Sequence, residues 1–172
     1  SHYWTFNQQN VISPRASISW KPSWEKRDMV FRFSTGFYYQ PPFYREMRRL
    51  DGGLNEDIVA QQSIHFVLGN DYQLRIWNRP FKMVTEVYYK YMNNLIPYDL
   101  DNVRLRYRAE NSATGFATGI DYRINGEFVK GIDSWASVSF MTIQEDIEDD
   151  GAGFLPRPTD QRFNFKIFFQ DY

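Results

Sequence analysis

Residues 81–99 read FKMVTEVYYKYMNNLIPYD, and the first part of this stretch alternates between two kinds of residue. Every second position, beginning with Phe81, is aromatic, apolar or threonine, whereas the charged residues Lys82, Glu86 and Lys90 fall between them. A period of two is the pattern of a β-strand with two unlike faces. The alternation lasts about ten residues, longer than the five or six of an average strand. The stretch therefore predicts a long strand with one apolar and one charged face.

The same alternation recurs elsewhere and predicts seven strands in all. In MVFRFSTGFYYQ, which begins at Met29, Phe31 and Phe33 share one face and Arg32 lies on the other. The remaining predicted strands cover residues 15–20, 64–75, 115–125, 135–143 and 162–170. We expect a convex apolar face that carries Phe31, Phe66, Tyr89, Ile120 and Phe165, and a concave face that carries Arg32, His65, Glu86, Asp121 and Lys166.

The connections between the predicted strands alternate in length. Those at 21–26, 77–80 and 126–134 are short, whereas those at 41–57, 97–112 and 145–160 are much longer. Short turns at one end and long loops at the other are typical of outer-membrane β-barrels. In the first long loop, PFYREMRRL (42–50) predicts one or two helical turns, because Pro42 is suited to the start of a helix.

Aromatic residues gather at both ends of the predicted strands. Trp20, Trp24, Trp77 and Trp135 lie at the short-turn end, and Tyr38, Tyr39, Tyr89 and Tyr91 lie toward the long-loop end. Amphipathic aromatic rings favour the boundary between membrane and water, and membrane barrels carry such girdles at both ends. The distribution favours a barrel whose apolar face meets lipid and whose charged face meets a lumen.

A soluble β-sandwich is the alternative fold. It would have to bury an unusually large number of Phe and Tyr side chains against a second sheet formed by the same sequence. The chain is therefore interpreted as all-β, an antiparallel up-and-down transmembrane β-barrel fragment of about seven strands that form an open curved sheet. Because single-chain bacterial barrels have an even number of strands, we expect residues 1–172 to be a single segment of a longer barrel.

Composition limits the chemistry that the chain can perform. A net charge of −1 implies no general attraction to nucleic acid. There is no cysteine, and the two histidines, His2 and His65, are far apart in the sequence, so we expect no metal site, no cofactor and no enzymatic activity. The acidic stretch that begins at Asp146 is similar to a calcium-binding loop, but Arg157 stands where a bidentate Glu is required.

Six segments follow one another with a characteristic order and spacing. They are NVISPRASISWKP (10–22), FSTGFYYQPPFYREMRRL (33–50), AQQSIHFVLGNDYQL (60–74), TEVYYKYMNNLIPYD (85–99), NSATGFATGIDYRINGEF (111–128) and GFLPRPTDQRFNFKIFFQDY (153–172). Together they resemble the C-terminal half of the barrel of a TonB-dependent outer-membrane receptor of the Bacteroidota type. The chain departs from that pattern at 60–63, which lacks the usual proline and acidic residue, and at Val67, where an acidic residue is common.

The resemblance implies a receptor in the outer membrane of a Gram-negative cell, which takes up a scarce nutrient with energy from the TonB–ExbB–ExbD complex. The implied partners are membrane lipid and lipopolysaccharide, the plug and the remaining strands of the same receptor, and a surface lipoprotein. The nutrient stays open among a ferric siderophore, cobalamin, an oligosaccharide and a peptide. A passive porin and a non-transporting assembly subunit of the outer membrane are the alternatives.

Two of the long loops carry arginine beside aromatic residues, and we expect these loops to approach each other because they hang on neighbouring hairpins. Arginine recognises carboxylate and phosphate with two parallel hydrogen bonds. The proposed site for an anionic ligand consists of Tyr44, Arg45, Arg48, Arg106 and Tyr107. Binding to lipopolysaccharide phosphate is one alternative role for these arginines. The other is ion pairing with the loop acids Glu46, Asp51, Glu56, Asp57 and Glu110.

Overall fold

The computed structural model describes residues 2–4, 9–25, 27–102, 104–157 and 159–170. Tyr172, toward which the last predicted strand runs, lies outside the described residues. Seven strands form the body of the molecule: β3 (Arg15–Trp20), β4 (Asp28–Gln40), β5 (Gln61–Ile76), β6 (Arg79–Leu95), β9 (Ala113–Val129), β10 (Ile132–Ile147) and β12 (Phe163–Gln170). All seven predicted strands are thus confirmed, and most are longer than expected.

Five short strands and one helical turn complete the described structure. The strands are β1 (His2–Trp4), β2 (Gln9–Val11), β7 (Tyr98–Asp101), β8 (Arg104–Tyr107) and β11 (Leu155–Pro156), and the helix is α1 (Tyr44–Met47). Of the one or two helical turns expected in 42–50, one is present, and Phe43 rather than Pro42 is its N-cap. None of the described helical residues belongs to a helix long and apolar enough to cross a membrane.

The main sheet has the order β11-β10-β9-β6-β5-β4-β3, and β12 also pairs with β10, beyond the end of β11. All pairings are antiparallel, and the long strands follow one another up and down as expected. The expectation of seven strands missed β11, which is an eighth member of the sheet. Within the described residues the sheet does not close on itself, since β3 pairs only with β4 and β12 only with β10.

The strand register sorts side chains into rows that cross the sheet. One row joins large apolar residues of seven neighbouring strands: Ile18, Phe33, Leu68, Val87, Ile120, Phe140 and Phe163. We call this the apolar row, and its side of the sheet the apolar face. The predicted assignment of residues to the two faces is confirmed, because Phe165 is opposite Val138 on the apolar face and Lys166 is opposite Ser137 on the other.

The tight turns explain how successive strands are brought side by side. Trp77 and Asn78 alone connect β5 to β6, and both have positive φ, 51° and 63°. Two left-handed residues in sequence form the turn whose twist matches that of a hairpin. The connection predicted at 126–134 is shorter than expected, because β9 and β10 extend into it and leave only 130–131 as the turn.

The tight-turn end of the sheet is aromatic on both faces. Trp20 stacks on Phe31 with 5.8 Å between ring centroids, and Trp24 contacts both rings on the apolar face. Trp135 departs from the expected lipid-facing girdle, because its opposite neighbour is Asn125 on the polar face. It stacks there on Phe168.

Little of the sheet is buried. In the apolar row, Ile18 is 67% exposed at one side of the sheet, Val87 is 45% exposed in the middle, and Phe163 is 60% exposed at the other side. The buried hydrophobic cluster lies instead among the loops, where Met47, Ile58 and Ile96 meet. Phe81, next to the tight turn between β5 and β6, is the exception at 3% exposure. Among the described residues, no core encloses the other Phe residues of the apolar face.

Candidate functional site

Hydrogen bonds join the two loops that carry the predicted site. Asn55 Nδ2 donates to the main-chain oxygen of Ala109 at 2.7 Å. Asn111 accepts from Val59 N at 2.7 Å and donates to Val59 O at 3.1 Å, which ties the base of the first loop to the end of the second. The expectation that loops 41–57 and 97–112 approach each other is confirmed by these contacts.

The small apolar cluster holds α1 against the hairpin β7–β8. Met47 belongs to α1, and Ile58 and Ile96 lie at the ends of the two loops. Tyr107 of β8 packs against this cluster as a partly buried side chain. Met47 is buried in the cluster, whereas Arg45 of α1 and Arg48, which follows α1, are exposed. Apolar packing therefore sets the distance between these two arginines and those of β8.

All five predicted site residues line one open depression of about 310 Å3 between α1 and β8, which we call the loop pocket. Its complete lining is Tyr44, Arg45, Arg48, Arg49, Leu50, Gly52, Leu105, Arg106 and Tyr107. Arg49, Leu50, Gly52 and Leu105 were not among the predicted site residues. The sequence signal for Leu105 is the alternation RLRY in 104–107, which forms a strand inside a segment that we had interpreted as a loop.

The arginines of the loop pocket differ in how far their charge is neutralised. Arg106 forms an ion pair with Asp101 at 2.8 Å, and Arg49 donates to Asn55 Oδ1 at 3.2 Å. Among the described residues, no carboxylate pairs with Arg45 or Arg48. In the described part of the chain, Arg45 and Arg48 thus line the depression without an ion-pair partner.

Among the described residues, none of the acidic residues considered as partners forms an ion pair with the arginines of the loop pocket. Glu46 accepts from Phe43 N at 2.8 Å and so caps the start of α1. In the second loop it is Asp99, not Glu110, that pairs with Arg108 at 3.3 Å. The hydrogen bonds that Arg108 donates to Asp99 raise the pKa of Arg108 above its ordinary value. Arg108 lies outside the loop pocket and carries a paired charge.

A third connection holds the loop between β10 and β12 to the sheet. Arg157 Nε lies 2.9 Å from Glu145 Oε2, and the two side chains are only 18% and 10% exposed. The contact is an ion pair rather than an aligned hydrogen bond, since neither atom has a hydrogen-bond partner among the described residues. Arg157 also covers the ring of Tyr98, with 5.4 Å to its centroid. The sequence carried no signal for this contact, since Arg157 had been considered only as a failed calcium position.

The middle of the polar face carries an ion-pair network across three strands. Arg32 of β4 contacts Asp71 of β5 at 2.7 Å and Glu86 of β6 at 3.4 Å. Lys82 of β6 contacts the other oxygen of Asp71 at 2.9 Å. These groups lie beside Gly69, where a Cβ would make only an ordinary contact of 3.5 Å with the Arg32 guanidinium. The network pairs the charges of Arg32, Asp71, Lys82 and Glu86 with one another.

The loop pocket is chemically suited to binding an oxyanion. Its guanidinium groups can donate paired hydrogen bonds to an oxyanion, and its aromatic rings can shield those bonds from water. In the described parts of the chain, no three His, Cys, Asp or Glu side chains are grouped so that they could hold a metal ion. Comparison of the chain with protein-family models, with curated proteins and with solved structures gives no match in any of the three.

Proposed function

We propose that this chain forms part of the wall of an outer-membrane β-barrel, and that the barrel belongs to a TonB-dependent receptor for the uptake of a scarce nutrient. The observation that carries the proposal is the apolar row. Seven large apolar side chains are adjacent across seven strands, and nearly all are exposed. Soluble proteins seldom expose an apolar patch of this extent unless another surface covers it.

Membrane lipid on the apolar face, with water on the polar face, is the environment that best matches the two faces. The acyl chains would contact the apolar face, and the ion-paired polar face would line an aqueous interior. The strands β4, β5, β6, β9 and β10 have 13 to 17 residues each. A tilted strand needs only about 9 to 11 residues to cross a bilayer. The strands would therefore extend beyond the membrane on the side of the long loops.

The aromatic ends of the sheet support the same placement. Trp20 and Trp24 contact Phe31 at the tight-turn end of the apolar face, where the boundary between lipid and water would fall. Trp77 occupies a left-handed conformation in its turn and is 70% exposed. A bulky residue such as tryptophan is unfavourable at positive φ, but at a membrane surface its ring gains a favourable environment.

The receptor part of the proposal rests on the sequence resemblance and on the loop pocket. In that assignment the loops face the outside of the cell, and Arg45, Arg48 and Arg106 make the first contact with an anionic nutrient. A plug inside the barrel would then be displaced by the TonB–ExbB–ExbD complex to let the nutrient pass. A ferric siderophore or a phosphorylated glycan has the charge that this pocket would attract.

The lipid-facing assignment is tested by labelling single cysteines, since the chain has no cysteine of its own. A nitroxide is attached at Leu68→Cys on the apolar face or at Val67→Cys on the polar face, and the chain is folded in lipid vesicles. We expect a lipid-soluble relaxation agent to reach only the label at 68 and a water-soluble agent to reach chiefly the label at 67. Equal access of the water-soluble agent to both labels would exclude the membrane wall.

The energised-uptake assignment is tested in cells that produce the receptor carrying this chain, with and without the ExbB–ExbD motor. We expect nutrient accumulation only when the motor is present. Accumulation that does not depend on the motor would support a passive channel. A fully assembled barrel that accumulates nothing in either strain would support an assembly subunit.

A further inference from the structure

A second group of basic side chains lies on the polar face, closer to the long loops than the ion-pair network. Arg15 of β3 is paired with Gly36 of β4, Gly36 with His65 of β5, and His65 with Lys90 of β6. Neighbouring strands are about 4.8 Å apart, so the row extends about 14 Å. We call Arg15, His65 and Lys90 the basic row.

Aromatic contacts hold the members of the basic row in place. The guanidinium carbon of Arg15 lies 4.2 Å from the ring centroid of Tyr38, and Tyr38 in turn stacks on His65 at 4.1 Å. Lys90 Nζ lies 5.2 Å from the ring centroid of Tyr88. Gly36 makes the arrangement possible, because a Cβ there would lie 2.8 Å from the Cγ of Arg15.

Among the residues that the structure describes, no acidic side chain forms an ion pair with the basic row. Within the described residues, neither Arg15 nor Lys90 forms an ion pair. On the same face, the adjacent row toward the turns holds Ser34, Val67 and Tyr88, and the adjacent row toward the loops holds Tyr38, Ser63 and Met92. Of the carboxylates of the central network, Glu86 lies one row farther away and Asp71 two rows farther, and both are engaged by Arg32 or Lys82.

We infer that the basic row binds an oxyanion of the class of phosphate esters and polycarboxylates. The edge of the Arg15 guanidinium, the ring of His65 and the ammonium of Lys90 are donors of the kind that recognises such groups. The inference rests on the proposed function only where it places the basic row on the inner wall of a barrel. If the polar face lines a barrel, an anion released by the loop pocket meets this row next along the wall.

Because the chain has only two histidines, anion binding can be measured at the side chain of His65. The full chain is labelled with 13C at the histidine side chains and folded in detergent micelles, and His2→Gln assigns the two resonances. Inorganic pyrophosphate is the probe. We expect a saturable shift of the His65 resonance and no saturable shift of the His2 resonance.

Variants distinguish a specific binding site from nonspecific electrostatic attraction of pyrophosphate to the polar face. Arg15→Gln and Lys90→Gln should each raise the Kd for pyrophosphate about tenfold or more, whereas Arg15→Lys should have a smaller effect because it keeps the charge. Lys82→Gln is the matched control on the same face, since its charge is engaged by Asp71, and it should leave the Kd within about twofold. An unchanged far-UV circular dichroism spectrum of the ligand-free variants shows that the sheet is intact.

The inference is overturned if pyrophosphate gives no saturable shift of His65, or if Lys82→Gln weakens binding as much as Lys90→Gln does. Its failure is distinct from failure of the membrane proposal, which depends on the accessibility of labels at 67 and 68. Pyrophosphate could bind at His65 while the labels at 67 and 68 are equally accessible to water. That result would support the inference about the basic row and contradict the membrane proposal.

Discussion

Tyr88 of β6 lies across Gly119 of β9, so that its hydroxyl oxygen is 2.6 Å from the position a Cβ at residue 119 would occupy. The main-chain oxygen of Phe140 is equally close to that position on the other side. The strand pairing between β6, β9 and β10 thus requires a residue without a side chain at 119. An aromatic ring that covers a glycine on the next strand is also a way in which sheets hold their register.

We predict that Gly119→Ala destabilises the folded chain by about 1 to 3 kcal/mol, the range for overpacking a filled site. Gly69→Ala is the matched control in β5, because its Cβ would meet the Arg32 guanidinium at an ordinary 3.5 Å. Urea unfolding followed by tryptophan fluorescence measures both variants. Equal losses for the two glycines would show that the contact with Tyr88 is not a constraint.

We predict that arginine is far better tolerated at Val84 than at Val87, although both are valines of β6. Val87 lies in the apolar row, where a charged residue near the middle of a bilayer costs about 2 to 4 kcal/mol. Val84 is on the polar face, beside the carboxylates of Asp71 and Asp121. Unfolding free energies in lipid vesicles measure the difference, and a similar loss for both variants would argue against lipid on the apolar face.

We predict that Arg157→Ala destabilises the chain by about 2 kcal/mol, because it leaves the carboxylate of Glu145 without a charged partner in a nearly buried position. Arg108→Ala is the control, since its ion pair with Asp99 is exposed and should contribute less than about 1 kcal/mol. Adding Glu145→Gln to Arg157→Ala should recover part of the loss. No recovery in the double variant would mean that packing on Tyr98, rather than charge, accounts for the effect.

We predict that combined replacement of Arg45, Arg48 and Arg106 by alanine weakens binding of citrate, used as a minimal polycarboxylate probe, by about tenfold or more. Isothermal titration calorimetry in a Lys90→Gln background measures this, so that the basic row does not contribute. Arg108→Ala should leave the affinity unchanged. If the triple variant is folded, as judged by heat-modifiable gel mobility, and binds citrate normally, the arginines of the loop pocket are only surface charges.

The period-two pattern was sufficient to predict the long strands and their faces, because every second side chain must share a face whatever the partners are. Phe165 and Lys166 could therefore be assigned to the correct faces of the sheet from the adjacent residues in the sequence alone. Pairing between strands is different in kind, since it depends on turn lengths. That Arg15, His65 and Lys90 share a row follows from registers that the sequence does not reveal.

The loops show where sequence reasoning reached its limit. The five residues of the proposed site were found because arginine beside tyrosine is a visible pattern, and the two loops had to hang side by side. The hairpin β7–β8 was missed because its strands have four residues each, too few for alternation to be distinguished from chance. The contact between Arg157 and Glu145 joins distant segments and could only be seen in three dimensions.

The two-residue turn at Trp77 and Asn78 has a consequence for how the chain acquires its structure. Closing so short a loop loses little chain entropy, and a hairpin of this kind forms in about 1 to 10 μs. The hairpin β5–β6 also lies at the centre of the sheet, with β4 on one side and β9 on the other. We expect it to be the nucleus onto which the other strands add outward. Pulsed hydrogen exchange during refolding should then protect the amides of 64–74 and 81–91 before those of β3 and β12.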